Sequence, residues 1–191
     1  LHGIWLSDTN NITIAYNFIR IANSGGVYSI PIHNSNNNRI IYNDMSTWIS
    51  SNIIMSDSSY NLISHNKIEV LSYSDVSVTN LIYFSPFGFA GRTGSALCEG
   101  NNITYNELIG FCNLPMSIII QGIHANNKNT IVAHNTVYKG SYGINIVGDN
   151  SLVYNNTVNN SAIGINLHGN NASVVNNDVF GASQKTGIMI S

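Results

Sequence analysis

An aliphatic residue, an asparagine three places later and a second aliphatic residue two places beyond that recur along the chain. The copies are Ile14…Asn17-Phe18-Ile19, Ile40…Asn43-Asp44-Met45, Ile63…Asn66-Lys67-Ile68, Ile103…Asn106-Glu107-Leu108, Val132…Asn135-Thr136-Val137, Val153…Asn156-Thr157-Val158 and Val174…Asn177-Asp178-Val179. Successive asparagines are 26, 23, 40, 29, 21 and 21 residues apart. A second motif, Gly-aliphatic-x-aliphatic, is interleaved with the first: Gly3-Ile4-Trp5-Leu6, Gly143-Ile144-Asn145-Ile146, Gly164-Ile165-Asn166-Leu167 and Gly187-Ile188-Met189-Ile190, with weaker copies at Gly26-Val27 and Gly122-Ile123. Short alternating segments rich in Ile and Val, punctuated by Asn and Gly, read as strands and turns. A helix would need apolar residues at i, i+3, i+4 and i+7, and asparagine is a poor interior helix residue.

Two phased motifs within one period of about 21 residues describe one coil of a solenoid, stacked on the next at the strand spacing of roughly 4.8 Å. The expectation is an all-β parallel β-helix of about seven to eight coils. The residues three before and two after each asparagine should point inward and form aliphatic columns. The residue directly after it (Phe18, Asp44, Lys67, Glu107, Thr136, Thr157, Asp178) should point out. Asn17, Asn43, Asn66, Asn106, Asn135, Asn156 and Asn177 should stack as a ladder of amides. They are also expected at the bends, because asparagine tolerates the left-handed conformation. Neither end reads as a cap, so residues 1–191 are expected to be one β-helix segment of a longer polypeptide.

This phased pattern resembles the parallel β-helix repeat of the pectin-lyase-like superfamily, over nearly the whole chain except residues 69–100. The Asn-rich version is similar to repeats in adhesin-like cell-surface proteins of archaea and bacteria, and to β-helices that bind or process extracellular carbohydrate. The resemblance implies a right-handed coil, as does the crossover rule for parallel strands.

The 40-residue interval between Asn66 and Asn106 is the main departure. Residues 72–100 are expected to be an irregular insertion or a degenerate coil. Asp75 to Phe84 could supply strands, and Asn80-Leu81-Ile82 is a faint copy of the motif. Ser85 to Gly94 reads as loop. The segment gathers Tyr73, Tyr83, Phe84, Phe87 and Phe89, which together would offer flat apolar faces to sugar rings, or would fold back to cover the flank.

Composition narrows the function. Charged residues make up 8% of the chain, its net charge is −2, and 32 of its 191 residues are asparagine. Seven Lys and Arg form no polycationic surface for nucleic acid. No apolar run is long enough to span a bilayer. Heavy use of Asn, Ser and Thr suits an extracellular or cell-surface location. Cys98 and Cys112 are the only cysteines; they could pair, but two buried small hydrophobes is the favoured reading.

β-Helix enzymes cut or epimerise polysaccharides with carboxylates and a base. The nine acids here include no adjacent-aspartate motif of the polygalacturonase kind and no Asp-Pro-His-Asp of the alginate-epimerase kind. Asp44, Lys67 and Glu107 share one outward file, which stands as the catalytic candidate; a cross-coil ion pair is the favoured reading. His65 and His134 precede a ladder asparagine, as Tyr16, Tyr42 and Tyr105 do, and an aromatic stack accounts for them without metal. No His or Cys spacing signals a metal, no cofactor is expected, and a calcium site is possible but not signalled. Asn-x-Ser/Thr sequons occur at Asn11, Asn102, Asn155, Asn159 and Asn171.

The leading expectation is a non-catalytic adhesin-like or spacer segment with possible glycan binding and possible end-to-end stacking on further coils or another chain. The alternative is a polysaccharide lyase, hydrolase or epimerase, which the scarcity of acids disfavours.

Overall fold

A computed structural model describes residues 2–22, 28–47, 52–71, 78–84, 98–110, 119–125, 127–182 and 186–191. These form 22 strands, β1 (Leu6–Ser7) to β22 (Thr186–Ile190), in three parallel sheets. Each strand pairs with the one three places along the chain. The first sheet runs β1, β4 (Ile30–His33), β7 (Ile53–Ser56), β10 (Val78–Phe84), β13 (Ile119–Ala125), β16 (Tyr142–Val147), β19 (Ile163–His168) and β22; the other two hold seven strands each, starting at β2 (Thr13–Ala15) and β3 (Phe18–Ile21). The chain is thus a parallel β-solenoid, with about six turns between the first and last ladder asparagine.

The repeat phases as its alternation requires. Ile14, Ile40, Ile63, Ile103, Val132 and Val153 are buried, and so are Met45, Ile68, Leu108, Val137 and Val158 on the far side of the corner. Val174 and Val179 in the last turn pack against this core while partly exposed. Each fully buried aliphatic side chain contributes roughly 1.5–3 kcal/mol. The Gly-Ile-x-Ile motif fills the first sheet: Ile144, Ile146, Ile165 and Leu167 are fully buried. Its glycines sit where the wall is closest. A Cβ on Gly143 would strike Val158 and the Gly164 carbonyl, and one on Gly164 would strike Val179.

The corner between the second and third sheets has two residues. In one turn β5 (Arg39–Ile41) is followed by Tyr42, Asn43 and β6 (Asp44–Thr47). The left-handed residue is the first of the two, not the asparagine: φ is 59° at Tyr16, 56° at Tyr42, 57° at His65, 56° at Tyr105 and 55° at His134. The asparagine instead turns inward, and its side chain replaces backbone partners that the bend has removed. The expectation that the ladder residues themselves take the left-handed conformation is therefore corrected.

The ladder is continuous. Asn66 Oδ1 accepts the Asn43 backbone N–H at 2.9 Å and Asn43 Nδ2 at 3.0 Å. Asn66 Nδ2 in turn reaches Asn106 Oδ1 at 3.0 Å and the carbonyls of Ile40 and Ser64 at 2.8 and 3.1 Å. The side-chain step repeats from Asn17 to Asn43, Asn106 to Asn135, Asn135 to Asn156 and Asn156 to Asn177. Buried amides tolerate the low dielectric only when satisfied in this way.

Two further files were not read from the sequence. Five residues before the ladder, Asn38 Oδ1 accepts the Ile12 N–H, Asn61 Oδ1 the Asn38 N–H and Asn101 Oδ1 the Asn61 N–H. The repeated Asn-x-x-x-x-Asn of 38/43, 61/66 and 101/106 was the available signal. Eight before the ladder, the acceptors are Ser35 Oγ, Ser58 Oγ and Cys98 Sγ, which takes the Ser58 N–H at 3.3 Å. Cys98 thus occupies a serine position as a free buried thiol; Cys112 lies outside the described residues.

Within 72–100, β10 (Val78–Phe84) is a full member of the first sheet, between β7 (Ile53–Ser56) and β13 (Ile119–Ala125). Asn80 lies opposite Gln121 there, so the faint motif at Asn80-Leu81-Ile82 is not a ladder rung. No helix of the described residues is long and apolar enough to cross a membrane.

Candidate functional site

The left-handed corner places one ring per turn on the outer edge of the rod. Tyr16 and Tyr42 stack with centroids 5.2 Å apart, Tyr42 and His65 at 4.8 Å, His65 and Tyr105 at 4.9 Å, and Tyr105 and His134 at 4.6 Å. Tyr154 meets His134 edge-on at 5.4 Å and ends the stack. Holding a non-glycine residue left-handed costs about 1–2 kcal/mol, and a ring pair returns about 0.5–1.5 kcal/mol. Tyr16, Tyr42 and Tyr105 remain 78%, 46% and 51% exposed. Since stacked rings cover one another's faces, the exposed parts of Tyr42, His65 and Tyr105 are edges bearing phenol and imidazole polar atoms, whereas Tyr16, at the end of the file, stacks on Tyr42 alone among the described residues. Ser64 Oγ lies 2.7 Å from His65 Nδ1 and orients that ring.

Beside the ring file runs the outward file of the third sheet. Strand register places Asp44 opposite Lys67 and Lys67 opposite Glu107, as expected. The ion pair is different from the expected one: Asp44 Oδ1 accepts Arg20 Nη1 at 2.9 Å. The Arg20 guanidinium also lies 3.8 Å from the Phe18 ring centroid. Among the described residues no ion pair joins Lys67 to Asp44 or Glu107. These three stand on an open sheet face, and Lys67 and Glu107 are exposed.

A second feature is a groove of about 490 Å³ along the corner between the first and second sheets, lined by Cys98, Lys128, Asp149, His168 and Ser191 among others. Gly148 and Gly169 allow the backbones to close there; a Cβ on Gly148 would fall on the Asn127 carbonyl. Several of its polar groups already have partners, whereas Asn127 Nδ2 is buried without one. The Glu99 carboxylate takes the Tyr60 hydroxyl at 2.7 Å, which raises the Tyr60 pKa. The Asn170 backbone N–H donates to Asp149 Oδ1 at 2.9 Å and holds that carboxyl below its ordinary range. His168 Nδ1 lies 2.9 Å from Ser191 Oγ. Burial pushes the Cys98 thiol up to about 11, so it is no nucleophile near neutral pH. Among the described residues no three His, Cys, Asp or Glu side chains are grouped to hold a metal ion.

The sequence-predicted sugar platform is only partly within the described residues; Tyr73, Phe87 and Phe89 lie outside them. Phe84 is fully buried in the core and presents no face to a ligand, a correction with a simple cause. Strand pairing places it beside Met55, in the inward column of the first sheet. Tyr83, next along β10, is half-buried at an outward position opposite Ile54.

The class defined by these features is a parallel β-solenoid with an internal asparagine spine and an external ring file. No model of a known protein family matches the chain, and no curated protein is significantly similar to it.

Proposed function

We propose that the chain is a non-catalytic section of a cell-surface or extracellular β-helix of the pectin-lyase-like kind, wound right-handed. It serves as a stiff spacer and holds an extended glycan along the edge Tyr16–Tyr42–His65–Tyr105–His134. The observation that carries this reading is the regularity of the file: one ring per turn, 4.6–5.2 Å apart, with polar edges outward. A linear ligand with hydroxyls repeating at a similar interval can bond to successive edges, each contact weak and the sum substantial. The closed ring faces favour hydroxyl-rich partners over flat apolar ones. The unbroken amide spine supports the mechanical part, because stretching or bending the rod must distort buried, fully engaged hydrogen bonds.

The test is retention on a panel of neutral and acidic polysaccharides, measured by affinity electrophoresis together with an assay for depolymerisation. Wild-type retention should fall tenfold or more in the double variant Tyr42→Ala/Tyr105→Ala, with the β-rich circular dichroism unchanged. Equal retention by both proteins would remove the ring file from the reading. Depolymerisation lost in Lys67→Ala would replace the reading with an enzymatic one.

A further inference from the structure

The five sequons are alike in sequence but differ in the folded rod. Modification of Asn-x-Ser/Thr needs an accessible asparagine amide and an accessible hydroxyl two residues on. Asn11, Asn155 and Asn171 are exposed residues at left-handed corners, with φ of 60°, 53° and 52°. Their hydroxyls, on Thr13, Thr157 and Ser173, are exposed or half-exposed.

The other two sequons lie within the wall. Asn102 is half-buried in β11 (Asn102–Thr104), and its Oδ1 is buried with no partner. Its hydroxyl partner Thr104 is 8% exposed, and Thr104 Oγ1 donates to Ser64 Oγ at 3.1 Å. Asn159 is half-buried at the end of β18 (Thr157–Asn159), and its hydroxyl partner Ser161 is 1% exposed.

We propose that Asn11, Asn155 and Asn171 are N-glycan acceptor sites of the folded chain and that Asn102 and Asn159 are not. The co-reactant is an oligosaccharide linked to a polyprenyl diphosphate. Asparagine Nδ2 bonds to the anomeric carbon of the first sugar and the amide gives up one proton. The bond from that carbon to diphosphate oxygen breaks, and the diphosphate leaves with the electron pair. Asn155 occupies the left-handed corner position one turn beyond His134, so a glycan there closes that end of the ring file. That such a donor meets these amides rests on the extracellular reading above.

The test uses the folded chain, a purified oligosaccharyltransferase that accepts folded substrates, and the lipid-linked donor, with occupancy at each asparagine read by peptide mass spectrometry. Roughly tenfold or greater occupancy at Asn11, Asn155 and Asn171 over Asn102 and Asn159 is expected, because the latter two need local opening of the wall. The difference should vanish when the chain is unfolded beforehand. Equal occupancy of Asn102 or Asn159 in the folded chain would overturn the inference. So would unmodified Asn11, Asn155 and Asn171 beside an acceptor peptide that reacts in the same tube. Neither result bears on polysaccharide retention, so failure here is distinguishable from failure of the spacer reading.

Discussion

Asn106 Oδ1 accepts both the backbone N–H and the Nδ2 of Asn66 at 3.0 Å, although 40 residues of sequence separate the two. The same pair of bonds joins Asn135 to Asn156 at 2.9 and 3.0 Å across an interval of 21 residues. The geometry of a rung is therefore independent of the length of chain that returns to it.

Asn106→Ala should be the costly spine substitution. It strands the buried backbone N–H of Asn66 and takes the Nδ2 donor from the Ile63 carbonyl, while Asn66 Nδ2 keeps the Ile40 and Ser64 carbonyls and Asn135 Oδ1 keeps the Asn106 N–H. At about 1–3 kcal/mol per buried group left unsatisfied, the loss should reach about 3 kcal/mol or more in urea unfolding. Asn17→Ala, at a half-exposed first rung, should cost about 1 kcal/mol. Equal losses at the two positions would contradict a role for the spine.

Glycine is required at some positions of the coil and not at others. Gly148→Ala places a methyl on the Asn127 carbonyl, and the obstructing atoms are all Asn127 backbone, which cannot swing aside as a flexible side chain would. A loss of about 3 kcal/mol is expected. At Gly187 the nearest atom to a new Cβ is 3.9 Å away, so Gly187→Ala should change the melting temperature little. Thermal melts of the two variants decide the point.

The ring position tests backbone against side chain. His65→Tyr keeps a ring between Tyr42 and Tyr105 and should stay within about 0.5 kcal/mol of the parent. His65→Val loses the ring and forces a β-branched residue to φ near 57°, so roughly 2 kcal/mol of destabilisation is expected. A tolerated valine would show that the corner is less demanding than its geometry implies.

Alkaline stability should depend on Cys98. Burial raises its pKa from 9.0 to about 11, so the unfolded chain releases the proton first as pH rises. Stability from this group is intact below pH 9 and declines toward pH 11, by on the order of 2 kcal/mol. Cys98→Ser, which restores the residue type of Ser35 and Ser58 in that file, should fold normally and show a shallower decline between those pH values. An unchanged slope would exclude Cys98 as its source.

The aliphatic columns and the asparagine ladder were legible because the period-2 alternation beside each asparagine has one dry face and one wet face. Ile40, Met45 and their equivalents could be assigned inward without coordinates. The left-handed residue was misplaced by one position because propensity favours asparagine there, whereas the corner holds tyrosine and histidine whose stacking offsets the strain. Whether Phe84 faces a ligand or the interior stays open in the sequence because residues 69–100 interrupt the motif that would phase it. Aligning Leu81-Ile82-Tyr83-Phe84 with Gly143-Ile144-Asn145-Ile146 gives the inward phase that the strand pairing shows. The ring file was visible as a recurring aromatic position, but its exposure was not, since a sequence does not tell which side of a two-residue corner faces water.

Because a rung is indifferent to the stretch of polypeptide preceding it, coil length is a nearly neutral variable. Duplicating or deleting one gene segment of a single period would change the height of the rod and leave its cross-section unaltered. The fold thus admits taller or shorter rods, and new decorations between turns, without rebuilding its interior.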